Sequence, residues 1–416
     1  MGDELIEKAQ LAKKAWYSLS RSADPVRRKA LESMAEGLMK NKDYILEANE
    51  LDVKNFQKQN PGDPLLDRLI LNEKRLKSAA DGLRKVAQLP DPIGEVVEGW
   101  KTVHGLRIYK VRVPLGVIGV VYESRPNVTI DIAGLAIKSG NAVILRGGSE
   151  AINSNKAIVK VLKESVEGII DKEAIQLIEN TDRSIVDRMI KLNNYIDLII
   201  PRGSASFIEY VRKNATVPVI ETGAGNNHIF VNYDADLDMA TRIIINAKVQ
   251  RPAVCNAVRK VLIHKDIAEA YLPRLYQELR KYNVLVKGDE KARKIVPEIQ
   301  PATEEDWDTE YMDLTIAIKV VDSVEEAVQH INEHGTKHSE AIITNNLKDA
   351  EYFTWNVDAA CTYVNASIRF TDGEQFGFGA EVGISTQKLH ARGPMGIKEL
   401  TTTKYIIYGE GQIREI

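Results

Sequence analysis

The chain reads as an α/β protein with two parallel-sheet domains and a small β flap. Three observations predict this. Strand-length apolar runs alternate with helical patterns over residues 114–204, and again from 258 to about 365. Such alternation marks βαβ units, whose parallel strands are covered on both faces and so show continuous apolar runs. A Gly-punctuated extended stretch at 96–113 belongs to neither block. Finally, 416 residues exceed one ordinary core, which favours two domains.

The elements follow in order. Residues 3–88 carry helical apolar spacing. Asp24-Pro25 is expected to open the second helix, Asp as N-cap and Pro at its first position, and Asn72 to cap a third. The flap at 96–113 is expected to be two-stranded, with the run from Thr403 to Tyr408 as a candidate partner; an isolated hairpin is marginal, which points to packing on a second subunit. In the first alternation, strands are predicted at 116–122, 142–145, 175–179 and 196–201, and helices at 126–138, 149–168, 182–192 and 205–214. Ligands in such sheets bind beyond the strand carboxyl ends, beside helix N-termini. Three turns there have suitable residues: Glu123 to Asn127, Arg146 to Ser149 and Pro201 to Ser204. Neither Gly-x-Gly-x-x-Gly nor Gly-x-x-x-x-Gly-Lys-Ser/Thr lies between a strand and a helix. A strand at 217–220 then leads through Glu221-Thr-Gly-Ala-Gly225 to a further extended run, and the second alternation places strands at 258–264, 284–286, 315–321, 341–344 and 362–365.

Composition removes several functions. A net charge of -3, with no basic block interleaved with aromatics, carries no nucleic-acid footprint. No apolar run approaches the roughly 20 residues needed to cross a bilayer, and no signal-peptide pattern or myristoylation motif is present, so the cytoplasm is expected. The two cysteines, Cys255 and Cys361, make neither a disulfide framework nor a metal-ligand spacing. His330, His334 and His338 recur every four residues, but Gly335 should end their helix; polar packing is expected there and no metal site. Cys361 reads as core.

Cys255 is the centre of the functional reading. Helical spacing up to Val249 is halted by Pro252, and an apolar strand begins just after the cysteine. The thiol is therefore expected on a short loop between two rigid elements. Arg251 and Lys260 flank it, and nearby positive charge favours the nucleophilic thiolate. A buried core cysteine is the alternative on this segment alone. The domain boundary near Glu221 places Cys255 close to a domain junction, where small-molecule sites concentrate.

These pieces resemble the aldehyde dehydrogenase superfamily across nearly the whole chain. Glu221-Thr-Gly-Ala-Gly225 precedes Cys255 at the superfamily's spacing, Arg125-Pro-Asn127 matches its Pro-x-Asn, and Glu310 falls where its ribose-binding glutamate lies. Four segments sharpen the match to one branch: those ending at Asn127 and Asn256, the run from Ala327 to Ile342, and that from Leu389 to Gly396. The resemblance implies two Rossmann-like domains of the aldehyde dehydrogenase type. The cofactor domain would take 1–97 and 114–221, the catalytic domain 222–385, the β-flap oligomerisation element 98–113 and 400–416, and 386–399 would return to the cofactor domain. It implies NADPH-dependent reduction of L-glutamyl 5-phosphate to L-glutamate 5-semialdehyde, with phosphate release, in proline biosynthesis. The implied partners are a further copy of the chain and a glutamate kinase that supplies the substrate.

The implied roles follow. Cys255 is the nucleophile and Asn127 the oxyanion donor; Glu221 is placed with them as a catalytic candidate, although its motif departs from the usual form at Thr222, Ala224 and Gly225. Arg146, Gly147, Gly203, Ser204 and Glu310 are assigned to the cofactor, with Arg146 suited to a 2′-phosphate. Arg125, Arg251 and Asn256 are assigned to the substrate. A coenzyme-A-acylating aldehyde dehydrogenase and a non-enzymatic scaffold are the alternatives.

Overall fold

Apolar runs without period-two alternation become parallel strands buried on both faces. In the computed structural model, which describes residues 3–61, 63 and 66–414, Val117–Tyr122, Ala142–Gly147 and Val258–His264 are buried along their whole lengths. The chain divides into two compact units. The first comprises Met1–Thr222, Gly377–Gly383 and Met395–Ile416; the second comprises Gly223–Phe376 and Ile384–Pro394.

In the first unit a four-stranded parallel sheet runs in the order Ile175–Leu177, Ala142–Gly147, Val117–Tyr122, Leu198–Arg202. Helices Pro126–Lys138 and Ala205–Asn214 follow two of these strands at the predicted bounds. The predicted helix at 149–168 starts as the 3-10 turn Ser149–Ala151 and continues as Ile152–Ser165, and that at 182–192 shortens to Ser184–Met189. The predicted strand at 217–220 does not form. Pro218 has no N–H to donate, and the segment makes a single bridge, Ile199 to Val219.

Helices Glu4–Leu19, Asp24–Lys40, Lys42–Gln59 and Glu73–Gln88 precede the sheet. Asn72 caps the last by accepting from Arg75 N at 2.9 Å. Asp24 is not an N-cap. It lies inside its helix, with Ala23 at the cap, and its carboxylate takes the buried Lys138 ammonium at 2.6 Å and Arg28 at 3.0 Å. The cations outweigh burial and hold the Asp24 carboxyl below its ordinary range.

The flap is a three-stranded antiparallel sheet in which Arg107–Pro114 pairs with both Val96–Lys101 and Thr401–Tyr408. It shows Trp100, Tyr405, Ile407 and Tyr408 to solvent.

The second unit is built on seven parallel strands. Their order is Gln300–Pro301, Leu285–Gly288, Thr315–Val321, Val258–His264, Asn227–Val231, Ser339–Ile343, Cys361–Val364. Val258–His264 is the central strand, so the loop that feeds it enters the middle of the sheet. Tyr271, Leu272 and Ile316 pack on one face with Ile229 and Val261, and Ile331 and Phe353 pack on the other with Phe230 and Leu262.

Candidate active site

Cys255 is half-buried in the loop between helix Leu237–Val249 and the central strand. Three side chains tie that loop down. Arg259, fully buried, donates from Nη1 to Pro252 O at 2.7 Å and from Nη2 to Val254 O at 2.8 Å. Asn227 donates its amide to Cys255 O at 2.7 Å and to Ala257 O at 2.9 Å. Asn256 donates to Thr371 O at 2.8 Å and to Arg369 O at 3.3 Å. Backbone carbonyls that water would otherwise satisfy are thus fixed by side chains.

The tail of the Glu221 motif closes on the same loop. A Cβ added at Gly225 would lie 1.5 Å from Cys255 O, so only glycine fits there. Gly225 N donates to Glu310 Oε1 at 2.8 Å, and that oxygen lies 3.6 Å from Arg259 Nη2. One guanidinium therefore contacts both the cysteine loop and Glu310. Asn227 and Ser339 open their strands, while Cys255 and Glu310 precede theirs, so the group gathers at the amino ends of this sheet.

The charges around the thiol differ from the expectation in one respect. Lys260 is not its cation. Successive strand residues point to opposite faces, and Lys260 reaches Asn226 Oδ1 and Thr309 O, each at 2.5 Å. Burial and Arg259 bring its amine down to about 7. Arg259 is one neighbour that interacts with Cys255: burial lowers the guanidinium's pKa, while Glu310 and Cys255 oppose the shift. Arg369 behaves in the same way, lowered by burial and by repulsion from Arg251, and raised by Cys255. Arg251 is exposed.

Asn227, Arg259 and Arg369 were absent from the sequence expectations. Arg259-Lys260 inside an apolar strand run was a usable signal, since a buried charge needs a reason. Asn226-Asn227 at the entrance of a buried strand was another. Arg369 lies 113 residues from Asn256 and carried none.

The aldehyde dehydrogenase family profile matches residues 2–313. A γ-glutamyl phosphate reductase of Clostridium botulinum is 57% identical over 413 residues, covering 99% of this chain and 100% of its own. That of Dictyoglomus thermophilum is 55% identical over 414 residues, with the same coverage. The chain belongs to the aldehyde dehydrogenase family, among its γ-glutamyl phosphate reductases. The crystal structure of the Thermotoga maritima γ-glutamyl phosphate reductase matches with a TM-score of 0.97 at 53% identity, covering 99% of this chain and 100% of that one. An acetylating aldehyde dehydrogenase of Geobacillus thermoglucosidasius shares the aldehyde dehydrogenase fold, with a TM-score of 0.70 at 17% identity and 99% and 98% coverage.

The other residues expected of an aldehyde dehydrogenase lie in the first unit. Asn127, exposed in the first turn of helix Pro126–Lys138, points its Nδ2 at Asp131 Oδ2, 3.4 Å away. Burial pushes the Asp131 carboxyl up to about 6, against Asn127 and Arg202. Arg125 precedes that helix and is half-buried; Ser124 beside it has φ 38° and donates N–H and O–H to Glu150 Oε1 at 2.7 and 2.6 Å. Glu221 lies 3.6 Å from Arg212 Nε. Arg146 is buried; its Nη2 reaches Thr181 O at 2.6 Å and its Nε has no partner. Gly147 packs against Asn155 and Tyr122, where a Cβ would lie 2.2 Å from Asn155 Nδ2. Ser204 caps helix Ala205–Asn214 by accepting from Phe207 N at 3.3 Å, and its own N–H donates to Glu123 Oε2 at 3.0 Å. A Cβ at Gly203 would meet the same Glu123 carboxyl at 2.7 Å. A cavity of about 490 Å³ in this unit is lined by Lys156, Lys163, Glu173 and Glu179 among others, and none of the expected site residues lines it.

His330 is buried against His228 and Trp307, and His338 is buried beside Ser339 Oγ at 2.8 Å. Among the described residues no group of three or more His, Cys, Asp or Glu is arranged to hold a metal ion, and no helix is long and apolar enough to cross a membrane.

Proposed function

We propose that the chain reduces L-glutamyl 5-phosphate to L-glutamate 5-semialdehyde with NADPH, releasing phosphate, as a step of proline biosynthesis. The observation that carries this reading is identity of 55–57% over 99% of the chain with γ-glutamyl phosphate reductases. The fastened Cys255 loop supports it.

Cys255 thiolate attacks the acyl carbon, and the bond to the phosphate oxygen breaks to leave a thioester. Splitting one hard transfer into two easier ones is the use of a thiol that both attacks and departs well. Arg259 and Asn227 hold the loop so that attack costs no rearrangement, and Arg259 favours the thiolate by its charge. Asn127 donates its amide to the developing oxyanion. The nicotinamide cofactor, when bound, supplies the hydride that reduces the thioester. The residues present suit such a nucleotide: a buried Arg146 with an unpartnered Nε for a 2′-phosphate, a helix N-terminus at Ser204, and Glu310 for a ribose. The turns at Gly147 and Gly203 serve the same nucleotide, and Asn256 with Arg125 and Arg251 serves the substrate. Glu221 has no water to activate in this reaction, since hydrolysis would waste the thioester, and its place is beside the cofactor. A second copy of the chain covers the exposed flap sheet, and a glutamate kinase supplies the substrate.

The test runs the reaction backwards. Wild type is expected to reduce NADP⁺ with glutamate 5-semialdehyde only when phosphate is added, and Cys255→Ala not at all. Activity with coenzyme A in place of phosphate would replace this reading with an acylating aldehyde dehydrogenase.

A further inference from the structure

An acyl phosphate carries its phosphoryl group one ester oxygen from the carbon that Cys255 attacks. Its α-carboxylate lies at the far end of the glutamyl chain. A cation fixed beside the thiol therefore meets phosphate first.

Arg369 is anchored to the loop that carries the thiol. Its carbonyl accepts from Asn256, the residue after Cys255, at 3.3 Å, and its Nε donates to Gln250 Oε1, the residue before Arg251, at 3.0 Å. The one-turn helix Ile368–Phe370 that carries it is tied down on both sides. Ser367 Oγ donates to Asn246 Oδ1 at 2.8 Å, and Thr371 O accepts from Asn256 Nδ2 at 2.8 Å. The guanidinium interacts with Arg251, Cys255 and Asp372, and Asp372 Oδ1 already accepts from Glu374 N and Gln375 N. Guanidiniums that repel one another gain from a shared dianion, and their planar forks match phosphate oxygens.

Resting on the acyl-phosphate reading above, we propose that Arg369, together with Arg251, binds the phosphoryl group of the substrate and, in the reverse direction, free orthophosphate. As the C–S bond forms and the C–O bond breaks, the electron pair of the broken bond leaves on the phosphate oxygen. The two guanidiniums take up that charge while the departing oxygen gains a proton from solvent, so that phosphate leaves as the hydrogenphosphate dianion.

The experiment uses the whole enzyme in the reverse direction, with glutamate 5-semialdehyde, NADP⁺ and varied orthophosphate. Arg369→Ala is expected to raise the KM for phosphate about ten- to hundredfold, the effect of losing a charge-assisted contact. The KM values for semialdehyde and NADP⁺ should stay within about twofold, because uniform binding to those groups is untouched. Orthophosphate should protect Cys255 from iodoacetamide in wild type and fail to do so in the variant. An unchanged phosphate KM with a raised semialdehyde KM would overturn the proposal and assign Arg369 to the carboxylate. Should Arg369→Ala not fold, Arg369→Lys decides in the same assay: a raised phosphate KM upholds the proposal and an unchanged one ends it. A wild type that needs no phosphate refutes the acyl-phosphate reading itself, whatever Arg369 does.

Discussion

Asn127 and Lys248 show how differently single side chains can matter. Asn127 is exposed, so Asn127→Ala should leave stability almost untouched. Losing an oxyanion donor typically costs about 3 to 4 kcal/mol of barrier, so turnover should fall about a hundredfold or more while cofactor affinity, read by fluorescence titration, stays the same. Unchanged turnover would remove Asn127 from the mechanism. Lys248 is fully buried, its Nζ has no hydrogen-bond partner, and burial with Arg259 brings its amine down to about 7. In the unfolded chain the amine titrates near about 10.4. Between those values the unfolded state holds a proton that the folded state has released, so this group's contribution makes stability rise with pH from about 7 to 10. Lys248→Met should therefore be more stable at pH 7, by an amount on the order of a few kcal/mol, and flatter across that window. Thermal melts of both proteins at pH 7 and 10 check this; parallel curves would refute it.

At the scale of elements, the loop from Gln250 to Ala257 depends on what it is bonded to. Gly225→Ala places a methyl on the Cys255 carbonyl and must displace the loop. A misplacement of about 1 Å at a reacting group can cost on the order of a hundredfold, so this variant should lose that much turnover, measured at saturating substrate. Arg259→Ala frees the carbonyls of Pro252 and Val254 together, and should slow turnover and shift the pH profile of Cys255 alkylation upward. An unshifted alkylation profile would show that Arg259 does not tune the thiol. The existence and bounds of this loop were legible, because Pro252 and the apolar run after Ala257 are local signals. Which of Arg259 and Lys260 faces it was not. Every residue of Val258–His264 is buried, so no polar alternation reports the phase of the strand. Arg369 was illegible for another reason: only tertiary packing brings its short turn to the cysteine. The absent strand at 217–220 and the misplaced Asp24 cap are failures of detail; Pro218 and the buried Lys138 each outweighed a local preference.

For the whole molecule, the flap sheet is the feature whose exposure asks for a partner. Its faces show Trp100 at 44%, Tyr405 at 58% and Ile407 at 56% exposed, an apolar surface that monomers rarely leave open. Replacing Tyr405 and Ile407 with Glu should lower the mass seen by light scattering without lowering the melting temperature of the separated chains; an unchanged mass would refute the assembly through this sheet. The same sheet has a consequence for synthesis. Its middle strand, Arg107–Pro114, hydrogen-bonds along its length to Thr401–Tyr408, which leaves the ribosome long after it. The sheet therefore cannot close until the whole second unit has been translated. Until then that middle strand offers an open edge to chaperones and to neighbouring nascent chains alike.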